Sequence, residues 1–311
     1  MKKTVSIVIP CYNEEAVLPL LADALRPLMQ RTDYEWRVLL IDDGSTDATL
    51  ARMQEVRDCD NRFSYIEFSR NFGKENALMA GLDYVEGDAA VLMDADLQHP
   101  VEVIPQMIEQ WEKGFDDVYA CRDSRGKEPF LRSLLTKGFY RLLQSSASNN
   151  VYPNVGDFRL LDRRCIEALK ELRESNRYTK GLYAYIGFRK TFVRFHTAER
   201  AAGSSKMKFG QLTSLAVNGL LSNSIAPLRF ATYTGLFVSA CAFVYMAFVL
   251  IKTLLYGDPV RGYPTLAILI LFLGGIQLFA LGMVGEYIGR IFSEAKKRPN
   301  YFVRTINGER V

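Results

Sequence analysis

Two stretches toward the C-terminal end, Phe230 to Ile251 and Thr265 to Val284, contain no charged residue. As helices they would extend about 33 Å and about 30 Å, each long enough to cross the hydrocarbon core of a bilayer. Charges are dense from Met1 to about Arg229, nearly vanish, and return at Glu286. A pair of buried core helices is the competing reading, but lengths of this order favour membrane spans. The chain is therefore expected to have a soluble front and a membrane rear, with helices at about 230–255 and 264–286 inside a 229–290 membrane segment. Lys206, Lys208 and Arg229 precede the pair and Arg290, Lys296, Lys297 and Arg298 follow it, whereas Tyr256 to Pro264 holds one Asp and one Arg. That bias places both termini and the front domain in the cytoplasm. Residues 206–228 read as a juxtamembrane amphipathic segment: Phe209, Leu212, Leu215, Ala216, Gly219 and Leu220 recur at helical steps, with Gln211, Ser214 and Asn218 between them. Pro227 is expected to break the chain there, and residues 291–311 to form a cytoplasmic C-terminal tail.

The front, residues 1–205, alternates short apolar runs with amphipathic stretches. Val5 to Ile9, Arg37 to Ile41, Phe63 to Phe68, Ala89 to Met93 and Asp117 to Cys121 read as strands. Glu15 to Met29 and Val101 to Trp111 read as helices between them. This order predicts an α/β domain with a mostly parallel sheet and helices on both faces. The two lysines at the amino terminus precede an apolar run too short for a signal peptide, so a first strand is expected instead.

In such a sheet, ligands bind beyond the carboxyl ends of the strands. Polar clusters stand there: Tyr12-Asn13-Glu14, Asp42-Asp43-Gly44-Ser45 and Asp94-Ala95-Asp96. No G-x-G-x-x-G, Walker loop or G-x-S-x-G elbow is present, which argues against dinucleotide dehydrogenases, P-loop enzymes and α/β-hydrolases. His99 and His196 are the two histidines, and His196 reads as structural on a strand. A net charge of +4 without a basic run gives no support to nucleic acid as a partner. The five cysteines are scattered, with neither zinc spacing nor a disulfide framework, as in a reduced compartment.

Two carboxylates one residue apart at a strand end, Asp94 and Asp96, can turn toward one hard cation whose shell water and phosphate oxygens complete. Such an ion neutralises charge growing on a departing diphosphate. An Asp-x-Asp alone is a weak signal; Gln98 adds a neutral oxygen at the same turn. The Asp42-to-Asp47 run can cap a helix through Ser45 or Thr46 and can also accept hydrogen bonds from a nucleobase or ribose.

Together these clusters resemble glycosyltransferase family 2. Pro10-Cys11-Tyr12-Asn13-Glu14 is similar to that family's first nucleotide motif, Asp42 to Asp47 to its second, and Asp94-Ala95-Asp96-Leu97-Gln98 to its metal motif. Phe68 to Lys74, Gly156 to Leu161, Gly203 to Lys206 and Gly285 to Arg290 resemble the polyprenyl-phosphate branch. The resemblance runs over almost the whole chain and is nearest to the bactoprenol glucosyltransferases, with dolichol-phosphate mannose synthases more distant. His99-Pro100-Val101 departs from relatives that carry an acidic residue or a second proline there, leaving the metal motif intact.

The resemblance implies a GT-A type, Rossmann-like catalytic domain. It also implies an inverting displacement in which a lipid phosphate oxygen attacks the anomeric carbon as a nucleotide diphosphate leaves. On that basis Pro10, Tyr12, Asn13, Glu14, Asp42, Asp43, Lys74 and Asp94 would bind the nucleotide sugar. Asp94, Asp96 and Gln98 would hold Mg²⁺ or Mn²⁺, with Asp96 and Asp157 as the catalytic pair. Asp157 would act as a base, or orient Arg159, an acceptor-binding arginine or a sugar hydroxyl; a phosphate acceptor with its second pKa at about 6 has little need of a base. Arg122, Arg132 and Lys206 are the candidate cations for the acceptor phosphate, each otherwise a solvated charge or, for Lys206, a headgroup contact.

UDP-glucose is the leading donor, with UDP-galactose, UDP-N-acetylhexosamines and GDP-mannose as alternatives, and undecaprenyl phosphate is the acceptor. The implied place is a bacterial inner membrane, as a multi-pass protein open to homo-oligomerisation. The product would serve as a lipid-linked sugar donor for cell-surface polysaccharide or O-antigen modification. Two rivals are weaker. A processive polysaccharide synthase would bring a Gln-x-x-Arg-Trp motif, absent here, and a membrane scaffold with an inactive domain gives no reason for acidic clusters at three strand ends.

Overall fold

The computed structural model describes residues 2–31, 33–122, 155–175, 177, 179–195, 226–256 and 262–310 of the 311. The chain divides into two compact units, Met1–Leu212 with Arg298–Val311, and Thr213–Lys297.

In the first unit, β1 (Thr4–Cys11), β2 (Glu35–Asp42), β3 (Phe63–Phe68) and β4 (Ala89–Leu92) form a parallel centre in the order β3-β2-β1-β4. The β1 side chains alternate as the pleat requires: Val5, Ile7 and Ile9 enter one core and Val8 the opposite one. On the first face lie α1 (Leu18–Met29), α2 (Thr49–Cys59) and α4 (Ile104–Glu112). Leu18, Leu21, Ala22, Leu25 and Leu28 make a buried stripe along α1, whose proline at the first turn needs no intrahelical N–H partner. Ile104, Met107, Ile108 and Trp111 do the same along α4, after a single 3₁₀ turn at Val101–Val103. The second face carries α3 (Lys74–Tyr84), α5 (Arg163–Lys170) and α6 (Thr179–Tyr185). There Gly81 meets β1 so closely that an added Cβ would stand 2.2 Å from a Val8 methyl.

The sheet is mixed rather than mostly parallel, which corrects the expectation. β6 (Val155–Asp162) inserts antiparallel between β4 and β5 (Asp117–Arg122), and β7 (Lys190–Phe195) closes that edge parallel to β5. Asp157 and Arg159 interrupt the apolar run of β6, so periodicity did not mark it as a strand. At the other edge, β8 (Val303–Ile306) pairs antiparallel with β3 and with β9 (Glu309–Arg310). The C-terminal stretch, expected as a tail, thus completes the nine-stranded sheet, order β7-β5-β6-β4-β1-β2-β3-β8-β9.

The second unit holds α7 (Ala226–Tyr256) and α8 (Tyr263–Ala295), which pack on each other and cover the two uncharged stretches. Pro227 sits in the first turn of α7, a position where its missing N–H costs nothing. Residues 206–225 of the expected amphipathic segment lie outside the described residues. Among the described residues one helical stretch, Phe272–Ala295, is long and apolar enough to cross a membrane, and none of its apolar window is buried by protein.

Candidate active site

The carboxyl ends of β1, β2, β3 and β4 converge on one cavity of about 300 Å³. Pro10, Cys11, Tyr12 and Glu14 line it from β1, Asp43 from β2, Asn71, Gly73, Lys74 and Ala77 from the connection into α3, and Asp94 to Asp96 from β4.

Two loops are locked together beside it. Asn13, held at φ +56°, donates its N–H to Ser45 Oγ at 3.0 Å, and its Oδ1 accepts from Thr46 N–H at 2.8 Å. Glu14 N–H donates to Thr49 Oγ1 at 2.7 Å. Asp42, buried, accepts from Ser45 N–H at 3.1 Å, and burial raises its pKa against those bonds. Asn13 and Asp42 therefore build the turn beside the cavity. Asp43 reaches across to the next loop and accepts from the amides of Phe72 at 2.7 Å and Gly73 at 2.9 Å, with burial raising its pKa while these amides oppose it. Gly44 is needed where the loops touch: at φ +65°, an added Cβ would lie 2.3 Å from the backbone carbon of Arg70.

The chemistry-bearing centre is a lysine between two carboxylates. Lys74 Nζ stands 2.6 Å from Asp94 Oδ1 and 3.0 Å from Asp157 Oδ2. Burial pulls the Lys74 pKa down, but Asp157 and Asp94 outweigh it and hold the ammonium charged well above its ordinary range. Burial pushes Asp157 up, yet Lys74, with Lys180 and Arg159, more than offsets that, so its carboxyl lies below the usual 3.8. Its other oxygen, Oδ1, is buried without a hydrogen-bond partner among the described residues.

Asp96 Oδ1 accepts from Gln98 N–H at 3.2 Å, across a turn whose Leu97 adopts φ +58°, a conformation costing about 1–2 kcal/mol for an L-residue. Gln98 is half-buried outside the cavity lining. Beneath the turn, buried His99 accepts the Asp94 N–H on Nδ1 at 3.1 Å and stacks on Phe158, ring centroids 4.7 Å apart. Among the described residues no three His, Cys, Asp or Glu side chains group as a metal cage. The donor set is instead two hard carboxylates at an open cavity. That suits a cation which takes the rest of its shell from a bound diphosphate and water.

The Arg159 guanidinium pairs with buried Asp117 at 3.0 Å and lies over the Tyr183 ring at 3.4 Å, and its charge helps to hold the Asp157 carboxyl low. Arg122 ends β5, while Arg132 and Lys206 lie outside the described residues. Sequence reading missed Glu75, whose carboxylate takes Thr179 N–H at 3.1 Å and its hydroxyl, tying α6 to the start of α3 beside Lys74. Only its place next to Lys74 in the motif could have hinted at it.

Residues 6–170 match the model of the family described as Glycosyl transferase family 2, and residues 226–291 match that of the GtrB C-terminal hairpin. The bactoprenol glucosyl transferase of Shigella phage SfV is 43% identical over 96% of this chain and 98% of its own length. A prophage bactoprenol glucosyl transferase homolog of Escherichia coli (strain K12) is 41% identical over 97% and 99%. Among solved structures, glucosyl-3-phosphoglycerate synthase from Mycobacterium tuberculosis has a TM-score of 0.49 at 20% identity, covering 69% of this chain and 76% of that one.

Proposed function

The chain belongs to glycosyl transferase family 2, and from that premise we propose that it transfers glucose from UDP-glucose to a polyprenyl phosphate at a membrane face. The observation that carries the reading is the cavity at four strand ends, where Asp94, Asp96 and the Lys74–Asp157 pair meet, in a chain 43% identical to a bactoprenol glucosyl transferase through its rear hairpin. The acceptor oxygen forms a bond to the anomeric carbon, and the bond from that carbon to the nucleotide diphosphate breaks.

Pro10, Tyr12 and Glu14 form the nucleoside side of the cavity, with Asp43 fixing the wall beside them. Asp94 and Asp96 would hold Mg²⁺ or Mn²⁺, which when bound supplies positive charge against the diphosphate. Lys74 adds a fixed cation at the same place. Asp157, kept ionised by Lys74, is a poor proton acceptor, and an already ionised phosphate needs none. Its part is to hold the Lys74 ammonium charged and aimed. Arg122, Arg132 and Lys206 remain the candidates for the acceptor phosphate.

The purified protein, given undecaprenyl phosphate and a panel of UDP-glucose, UDP-galactose, UDP-N-acetylhexosamines and GDP-mannose, should yield one lipid product heavier by a hexose, with UDP-glucose. Product formed from another donor of the panel instead would replace UDP-glucose, and none from any donor would remove the enzymatic reading. In the same assay Arg122→Ala should weaken use of the lipid while leaving donor affinity unchanged.

The exposed apolar side chains of α7 and α8 and the basic residues outside them support a membrane hairpin with both ends in the cytoplasm. A cysteine introduced between positions 256 and 264 should label only from the outer face, and one near Lys297 only from the cytoplasmic face. The reverse pattern would overturn this orientation.

A further inference from the structure

The C-terminal segment reaches the connection from β3 into α3, which is a wall of the cavity. Asn71 and Gly73 line the cavity from this connection, and the amides of Phe72 and Gly73 bind Asp43. Gly73 stands at φ +92°, and a Cβ added there would meet no atom within 4 Å. Besides Asp43, the far end of the sequence grips the loop. Phe302 carbonyl accepts the Ser69 N–H at 3.0 Å where β8 begins. The Tyr301 ring stacks on Phe68 at 5.1 Å, and Phe68 in turn meets the edge of Phe72 at 5.7 Å. Phe302 also meets Phe72, tilted, with ring centroids 6.1 Å apart.

The segment is itself tied down at both ends. The Tyr301 hydroxyl donates to Asp83 Oδ2 at 2.6 Å, a carboxylate that Arg173 also grips through both guanidinium nitrogens. At the β8–β9 turn, Asn307 exchanges two hydrogen bonds with the Tyr65 backbone, each 2.9 Å.

We propose that the C-terminal segment Asn300–Arg310 is a strap that positions the Ser69–Gly73 wall of the catalytic cavity, with Tyr301 as its anchoring residue. Residues that never touch the nucleotide sugar thereby set how well it binds, a consequence that rests on the proposed function of the cavity. Tyr301 is a positioning residue: it acts through Phe68 and Phe72 on the amides that hold Asp43.

The test compares the full-length protein with Tyr301→Ala and Tyr301→Phe. Hydrogen exchange over residues 69–76 should speed up about tenfold in Tyr301→Ala, and donor KM should rise by a similar factor, while kcat and the lipid KM stay within about twofold. Tyr301→Phe keeps the stacked ring and should recover most of both. Unchanged loop exchange in a folded Tyr301→Ala protein would overturn the strap. Should that variant fail to fold, Asn307→Ala, which spares the aromatic stack, is read by the same loop exchange with the same two outcomes. Exchange needs no ligand, so a full-length protein that bound no nucleotide sugar would overturn the functional reading alone and leave the strap to be decided separately.

Discussion

Asp96→Asn is expected to lower turnover about a thousandfold while leaving the protein folded. The asparagine can still accept the Gln98 N–H with its amide oxygen, so the turn that bends at Leu97 keeps its hydrogen bond. What it removes is one of two negative charges offered to a cation at the cavity. Among the described residues no third acidic or histidine ligand completes a cage there, so nothing nearby can substitute. Loss of about 4 kcal/mol of charge stabilisation at the departing diphosphate corresponds to roughly that factor in rate. Initial rates over a titration of Mg²⁺ and of Mn²⁺ provide the check, with thermal melting as the control for folding. Near-normal turnover at saturating metal would sink the assignment of Asp96.

Lys74→Met should be nearly as damaging, and for two separable reasons. Activity should fall at least a hundredfold, because the cavity loses its fixed cation, worth about 3 kcal/mol for a charged partner. Stability should fall as well, because Asp157 would be left buried with neither oxygen partnered. Breaking a fully buried pair costs about 3–5 kcal/mol. Lys74 keeps 44% of its side-chain surface in contact with water, which lowers the expected loss to about 2 kcal/mol.

The sign with pH follows from the Asp157 carboxyl lying below its ordinary 3.8. The stability it contributes is present above that value and is lost as the pH falls through the lower folded one. The gap between Lys74→Met and the parent should therefore narrow below about pH 4. Adding Asp157→Asn should restore much of the melting temperature at neutral pH without restoring turnover. A double variant no more stable than Lys74→Met would show that the pair contributes little to the fold.

The strand ends could be read from sequence because acidic residues follow directly on short apolar runs, as Asp42 and Asp43 follow Ile41. The same pattern located the loops but not the direction of each side chain. Asn13 and Asp42 hold the turn together through local hydrogen bonds, and Asp43 and Glu14 line the cavity beside it. Hydrogen bonding to local backbone and contact with a ligand draw on the same polar residues, so composition cannot separate them. The Lys74–Asp157 pair was invisible for a different reason: the two residues meet only because β6 runs back beside β4. β6 itself was hidden by its own buried charges, Asp157 and Arg159, which break the alternation that marks a strand. Val303–Ile306 was missed through its shortness, since four residues give periodicity nothing to repeat on.

The pairing of β8 with β3 imposes an order on biosynthesis. Ile66 finds Ile306 only after the two long helices between them have been translated. Contacts this distant in sequence form late and slowly, because the intervening loop must close before they return any free energy. Until then β3 is an open edge, and an open edge recruits strands from other chains. Termination between Phe195 and Val303 would release a chain whose front domain is almost fully made yet lacks its edge-covering strand. Such fragments are predisposed to aggregate or be degraded. Completion of the sheet thus reports that translation has run through the hairpin and past Ile306.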